Sequence, residues 1–91
     1  MSLYLMYGKY QPGSAKNISS ERTEMAEEII RKNGGTVQAG YALLGRSDLL
    51  FIVDFTDVKD VMKTSIAMGE KFGINFSTNA AITIDEFDKL F

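Results

Sequence analysis

The chain has 91 residues, of which 45% are hydrophobic and 24% are charged, and this composition predicts one globular domain over residues 1–91. It contains neither histidine nor cysteine, which excludes disulfides, thiolate catalysis and metal sites built on imidazole or thiolate. The ten lysine and arginine residues form no basic stripe, and the longest apolar run covers only residues 49–53. We therefore expect no nucleic-acid or membrane partner, no metal and no cofactor.

The first third of the chain predicts a strand followed by a helix. Residues 3–10 alternate bulky side chains on both faces, which fits a strand covered on both sides, and Pro12-Gly13 ends it as a turn. Ser19 or Ser20 can cap a helix that ends at Gly34. Its apolar positions at helical spacing are Met25, Ala26, Ile29 and Ile30. Glu27 precedes Arg31, and Glu28 precedes Lys32, by four residues, which predicts exposed ion pairs.

The middle of the chain predicts two strands, at residues 36–44 and 49–56, joined by the tight turn Gly45-Arg46-Ser47-Asp48. In the first of these strands one face carries Val37, Ala39, Tyr41 and Leu43. In the second, the face with Leu49, Phe51, Val53 and Phe55 is apolar, and Leu50 and Ile52 make the opposite face apolar as well. A sheet with one side in water would not show this pattern.

The last third predicts a helix, a strand and a short helical tail. Asp57 can cap the helix and Gly73 can end it. The predicted inward stripe is Val58, Val61, Met62, Ser65, Ile66, Gly69 and Phe72. A strand follows over residues 76–84. In the tail, one helical face carries Phe87, Leu90 and Phe91, and where this face docks is left open.

This order of elements predicts an α+β fold of ferredoxin-like βαββαβ topology. Its four-stranded antiparallel sheet has the first and third strands in the centre and two helices on one face. The second apolar face, carrying Tyr4, Met6, Leu50 and Ile52 or their alternates, then needs another cover. A second copy stacked sheet to sheet supplies it, so we expect a homodimer or a higher homo-oligomer.

Three segments resemble the GYD-domain family, and the likeness extends over nearly the whole chain. They are Gly8-Lys9-Tyr10, Lys16-Asn17-Ile18 followed by Ser20-Glu21-Arg22, and Leu44-Gly45-Arg46-Ser47-Asp48-Leu49. The resemblance implies a small ferredoxin-like domain with dimeric α/β-barrel type association and no particular activity. In the family's Gly-x-Tyr-Asp motif, Gly45 and Asp48 match, whereas Ser47 stands where the family has tyrosine. The turn also resembles the Gly-x-x-Asp turn of Lrp/AsnC-type regulators, whose sensing domains bind small molecules between subunits.

The candidate ligand-binding residues are Tyr7, Lys9, Tyr41, Arg46 and Asp48. Gly45 suits a positive φ, and Asp48 can accept hydrogen bonds from the amides of its own turn, so a structural role is favoured for both. Arg46 can face water, pair with Asp48 or bind an anion. The tyrosines at positions 4, 7, 10 and 41, with Lys9, can rim a cleft or form a subunit interface, and the interface is favoured.

Three functions are compatible with these features. The leading hypothesis is a cytoplasmic, non-catalytic homo-oligomer that binds or senses a small molecule in a cleft at or near the subunit interface. The alternative is a cofactor-independent isomerase or oxygenase of the dimeric α/β-barrel group, with Tyr7, Arg46 or Asp48 in acid/base or anchoring roles. The missing histidine disfavours it, and no catalytic residue is identified. The third is a structural or accessory subunit, for which an exposed patch around Phe87 would argue.

Overall fold

The computed structural model describes residues 2–91, which form one four-stranded antiparallel sheet with two long helices on one face. The strand order is β2-β3-β1-β4, which confirms the predicted ferredoxin-like topology with the first and third strands in the centre. The elements are β1 (Ser2–Tyr10), α1 (Ser20–Lys32), β2 (Thr36–Ala42), β3 (Leu49–Phe55), α2 (Val58–Phe72), β4 (Ile74–Ala81) and α3 (Ile84–Asp88), with a 3-10 turn at Ser14–Asn17 before α1.

The ends of both long helices are fixed by the residues that the sequence indicates. Ser19 caps α1, because its hydroxyl oxygen accepts a hydrogen bond of 3.0 Å from the backbone N–H of Arg22. Asp57 caps α2 in the same way, accepting from the N–H of Lys59 at 2.9 Å. Gly73 ends α2 with a φ of 67°, a left-handed conformation that glycine adopts without a Cβ clash.

The hydrophobic core lies between the two long helices and one face of the sheet. Met6, Val53 and Phe55 of the central strands are fully buried there. Around them pack Tyr4, Ala26, Ile30, Phe51, Val61 and Met68. Complete burial of a side chain of this size contributes about 1.5–3 kcal/mol, so this cluster is the main source of stability in one chain.

The opposite face of the sheet is open and also apolar, and we call it the open face. Across the central strands Leu5 pairs with Ile52, and Tyr7 pairs with Leu50, so these four side chains point to the same side. All four are only half-buried. The sequence predicts either Tyr4 and Met6 or the residues that alternate with them on this face. The structure has the alternating residues, Leu5 and Tyr7, there. Tyr4 and Met6 belong to the core.

A bulge in β2 changes which of its side chains share a face. Val37 pairs with Val53, but the next pair joins Ala39 to Ile52, so Gln38 is an extra residue. The prediction that Val37, Ala39 and Tyr41 lie on one face is therefore wrong. Val37 packs against the core, and after the bulge Ala39 and Tyr41 lie on the open face. The side-chain amide of Gln38 donates a hydrogen bond to the carboxylate of Asp54.

The helix α2 is rotated from the predicted orientation. Its buried positions are Val61, Thr64 and Met68, whereas Met62 and Ile66 are 61% and 63% exposed and Val58 is also exposed. The predicted stripe is therefore wrong at these three apolar positions. The cause is the close approach of α2 to the edge strand β4, where small residues are needed on the helix. These are Ser65, whose hydroxyl is 3.4 Å from that of Thr78, and Gly69, where a Cβ would lie 3.1 Å from the carbonyl oxygen of Ile74.

The end of the chain differs from the prediction in its boundaries. The strand β4 runs from Ile74 to Ala81 and not over residues 76–84. Thr83 instead caps α3, accepting from the N–H of Glu86 at 3.0 Å, while the Glu86 carboxylate accepts from the N–H of Thr83. The rings of Phe87 and Phe91 meet edge to face, with centroids 5.3 Å apart. Both rings and Leu90 are exposed, so the apolar patch on which the accessory-subunit hypothesis depends is present.

Candidate functional site

The turn between β2 and β3, residues 43–48, is held by Asp48. The backbone N–H of Leu43 donates to the carbonyl oxygen of Asp48 at 2.9 Å, and the N–H of Asp48 donates to the carbonyl oxygen of Gly8 at 2.8 Å. The Asp48 carboxylate accepts from the N–H of Tyr10 at 2.8 Å. The prediction that the Asp48 side chain accepts hydrogen bonds from the amides of its own turn is therefore wrong, because its carboxylate accepts from the end of β1. Gly45 has a φ of 140°, which agrees with the predicted positive φ.

Two basic side chains lie at the same end of the sheet. The Nζ atom of Lys9 is 3.9 Å from the Asp48 carboxylate, and the Lys9 side chain is 58% exposed, so this ion pair contributes little to stability. Arg46 is exposed at the turn, and within residues 2–91 its guanidinium has no hydrogen-bond or ion-pair partner. The next apolar side chain, Leu44, is fully exposed. These residues form an open surface.

The four tyrosines do not rim one cleft. Tyr7 and Tyr41 both pair with Leu50, from opposite sides, and lie on the open face. Tyr4 is buried on the other side of the sheet, with its ring 6.4 Å from that of Phe55. Tyr10 faces the same side as Tyr4, because residues an even number apart along a strand share a face. Tyr7 and Tyr41 therefore share the open face, with Leu50 between them, whereas Tyr4 and Tyr10 lie on the helix side.

A cavity of about 360 Å³ lies on the helix side of the sheet, between α1 and the strands β2 and β3. Its apolar walls include Leu49, Phe51, Phe72, Ile74 and Phe76. It is present because the helix-facing positions at the end of β2 are Gly40 and Ala42, which leave the space under α1 unfilled. The buried residues of α1 are Ala26, at its middle, and Ile30, one turn later, so its first half has no buried residue.

Polar groups lie mainly along the α1 side of this cavity. They are contributed by Tyr10, Ser19, Arg22, Thr23 and Glu27. Arg22 is held in place from two directions. Its Nη1 donates to the carbonyl oxygen of Ser14 at 2.8 Å and contacts the Ser14 hydroxyl at 3.2 Å. Its guanidinium carbon is 5.1 Å from the centre of the Tyr10 ring, a cation–π distance.

The support for Arg22 continues into the core. Ser14 is 6% exposed, and its hydroxyl donates to the carbonyl oxygen of Phe72 at the end of α2, at 2.8 Å. Within the described part of the chain, the Nε and Nη2 atoms of Arg22 have no hydrogen-bond partner. A half-buried arginine with one nitrogen anchored and the others unused can bind a further acceptor.

Of the five sequence-predicted residues, Tyr41 also lines this cavity, whereas Tyr7, Lys9, Arg46 and Asp48 are not among its walls. Sequence reasoning missed Arg22, which occurs in a family-like segment but received no role. Its position depends on Ser14 and Tyr10, which only the folded chain brings beside it. The usable signal was Gly40 and Ala42, small residues on the helix side of a strand.

The residues described hold no cluster of three or more acidic side chains suited to a metal ion. Over the same range, no helix is both long enough and apolar enough to cross a bilayer.

Comparison with known proteins gives a family match and several fold relatives. The model of the GYD domain matches residues 4–91. A search of curated proteins found no match. Among solved structures, the leucine response regulatory protein of Mycobacterium tuberculosis superposes with a TM-score of 0.65 at 8% identity, over 90% of this chain and 51% of that one.

Two further regulators have the same fold. A feast or famine regulatory protein from M. tuberculosis, complexed with L-methionine, gives a TM-score of 0.64 at 13% identity, over 91% of this chain and 51% of that one. An AsnC family transcriptional regulator from Agrobacterium tumefaciens gives a TM-score of 0.59 at 18% identity, over 90% of this chain and 50% of that one. This chain spans about half the length of these proteins. At such identities the likeness shows the fold alone.

Proposed function

The chain belongs to the GYD-domain family, and from that premise we propose that it is a homo-oligomeric domain that binds or senses a small molecule. The observation that supports this most is the cavity under α1. Its volume of about 360 Å³ is within the range of ligand sites, which are mostly apolar with a few placed polar groups. Its apolar walls and the anchored Arg22 fit that description.

The proposed site lies on the helix side of the sheet and is formed by a single chain. The leading sequence hypothesis placed a cleft at or near the subunit interface. In our proposal the two functions are divided between the faces of the sheet, with the ligand under α1 and the second copy on the open face. A feast or famine regulatory protein, half of which has this fold, was crystallised with L-methionine, and that complex supports the proposal that the present chain binds a small molecule.

Self-association is proposed from the open face. Leu3, Leu5 and Tyr7 of β1 and Leu50 and Ile52 of β3 form an apolar surface that one chain leaves half-buried. Contiguous apolar patches of this kind mark interaction sites. A sheet-to-sheet homodimer covers the patch with an identical one and adds the buried area that a chain of this size lacks by itself.

Ligand binding is tested by thermal unfolding of the full chain with a library of small neutral and charged organic compounds. A compound present at 100 times its Kd stabilises the folded state by about 2.7 kcal/mol, which raises the Tm of a domain this size by roughly 10 °C or more. We expect at least one such compound. If no compound in the library raises the Tm, the proposal is contradicted.

The location of the site is tested with a matched pair of variants in β2. Ala42 lines the cavity, so Ala42→Phe should fill it and abolish the shift caused by any compound found. Ala39 lies on the open face of the same strand, so Ala39→Phe should keep the shift. An equal shift in wild type and Ala42→Phe would place the ligand elsewhere.

A further inference from the structure

We infer that the cavity under α1 accepts an aromatic carboxylic acid of one or two rings, with its carboxylate bound by Arg22. This rests on the proposed function and specifies the ligand class for the same site. The inference combines three properties of the cavity: its volume, the nature of its walls and the position of its charges.

Volume and walls favour a flat aromatic body. A protein cavity of about 150 Å³ lined by apolar side chains binds benzene. The cavity here, at about 360 Å³, is roughly twice that size and therefore accommodates two fused rings. Three phenylalanine rings, those of Phe51, Phe72 and Phe76, form part of its walls, and aromatic pairs gain from offset or edge-to-face contact in addition to area burial.

The charge favours an acid at one end. Arg22 is half-buried at the cavity, its Nη1 is fixed on Ser14, and its ring partner Tyr10 also lines the space. The Nε and Nη2 atoms of Arg22 keep their N–H donors, and two parallel hydrogen bonds from these atoms match the geometry of a carboxylate. Arg22 also lies in the first turn of α1, where the helix dipole adds to the positive potential.

Glu27 places a second, opposite charge on the same wall. It is half-buried, lines the cavity and is five residues after Arg22. The sequence predicted an ion pair between Glu27 and Arg31, but Arg31 pairs with Glu28 at 3.0 Å. Among residues 2–91 the Glu27 carboxylate has no ion-pair partner, so its negative charge disfavours an acid at its own end of the cavity. This confines the bound carboxylate to Arg22, and it makes Glu27 the residue that an amine would prefer.

The test uses three probes with the same ring system and different charges. They are 2-naphthoic acid, 2-naphthamide and 2-naphthylmethylamine, titrated into the full chain by isothermal calorimetry at pH 7. A hydrogen bond between ionised groups is about twice as strong as a neutral one, so we expect the acid to bind at least ~10-fold tighter than the amide. The amine should bind more weakly than the acid.

Three variants identify the charge that is responsible. Arg22→Gln should weaken binding of the acid by ~10-fold or more and leave the amide within about 2-fold, so the amide shows that the cavity is intact. Glu27→Gln should tighten binding of the acid by a few-fold by removing a like charge. Arg46→Gln removes an exposed arginine outside the cavity and should change nothing.

The outcomes separate the ligand class from the proposed function. Equal binding of acid and amide, tightest binding of the amine, or an Arg22→Gln effect equal for all probes overturns the acid assignment while a ligand site remains. The acid assignment is also overturned if neutral compounds of the library bind and 2-naphthoic acid does not. Absence of binding by every probe and every library compound refutes both proposals.

Discussion

Along the central strands β1 and β3, both faces of the sheet are mainly apolar, but the surroundings of the two faces differ. Along β1, Met6 points to the helices and is fully buried, whereas its neighbours Leu5 and Tyr7 point to the open face and stay half-buried. The difference comes from the connections, because both crossover helices pack on the same side of the sheet. We therefore interpret a central strand that is apolar on both sides as packing against two surfaces: the chain's own helices and the second copy that we propose.

The two faces also differ in how completely they are filled. The helix side is well packed around Phe55, but at Gly40 and Ala42 it leaves a cavity. The open face is a more exposed surface, with a wide groove where Leu3 and Ile52 approach the start of α3, and the turn residues Lys9 and Arg46 are exposed at its other end. We therefore propose that the ligand binds on the helix side and that a second copy associates with the open face. Substitutions on each face can test this proposal.

The largest expected difference is between neighbouring residues of β1. Met6→Ala removes a fully buried side chain and should lower the free energy of unfolding by about 2–5 kcal/mol in urea titrations. This loss should be the same at low and high protein concentration. Leu5→Ala should cost less in the monomer, and its cost should grow with concentration as the dimer forms. The same concentration dependence for both variants would contradict the division of the faces.

Gly35→Ala tests how tightly the helix side is packed. A Cβ at this position would lie 2.5 Å from the Cζ atom of Phe55, whose side chain is fully buried in the core. Overpacking of this kind should cost about 1–3 kcal/mol. The smaller side chain in Phe55→Leu should relieve it, so the double variant should lose less stability than the sum of the two single ones. Additive losses would show that the two positions do not touch.

The order of the elements was predictable because it depends on local signals. Ser19, Asp57 and Gly73 mark helix ends by hydrogen bonds and backbone conformations that involve only near neighbours. The sequence did not predict which side chains of β2 and α2 point toward the core. The bulge at Gln38 shifts one strand by a residue, and α2 turns Met62 outward because β4 requires small residues at the contact. Both depend on which segments become neighbours in the fold.

Ile52→Lys tests association through the open face. A charge at the centre of a sheet-to-sheet interface would be desolvated without a partner, so the dimer should dissociate at least ~10-fold more readily in sedimentation velocity. The circular dichroism of the fold should be preserved, because Ile52 points away from the core. Met62→Lys, on the exposed side of α2, is the control and should leave association unchanged. A wild-type chain that is monomeric at micromolar concentration would refute the proposed homo-oligomer.

The candidate site was less predictable than the fold. The sequence favours Tyr7, Lys9 and Asp48 because of their chemistry near a family motif, but these residues lie at one end of the sheet and are not walls of the cavity. Arg22 acquires its position through Ser14 and Tyr10, which lie 8 and 12 residues before it in the chain. Space left by Gly40 is likewise a property of packing. The small residues Gly40 and Ala42 are visible in the sequence, but only tertiary contacts decide that they face α1 and that Arg22 lies beside the space they leave.

The smallest expected effect separates two roles of Asp48. If its carboxylate serves only to accept the N–H of Tyr10, then Asp48→Asn keeps an acceptor oxygen and should change the free energy of unfolding by less than about 0.5 kcal/mol. Asp48→Ala leaves that N–H without its partner and should cost about 1–2 kcal/mol. Neither variant should alter binding of the cavity ligand by more than about 2-fold, since Asp48 is not a cavity wall. A large loss of binding in Asp48→Asn, with stability unchanged, would contradict the site under α1. It would instead indicate that the ligand binds at the Gly45-Arg46-Ser47-Asp48 turn, near the subunit interface.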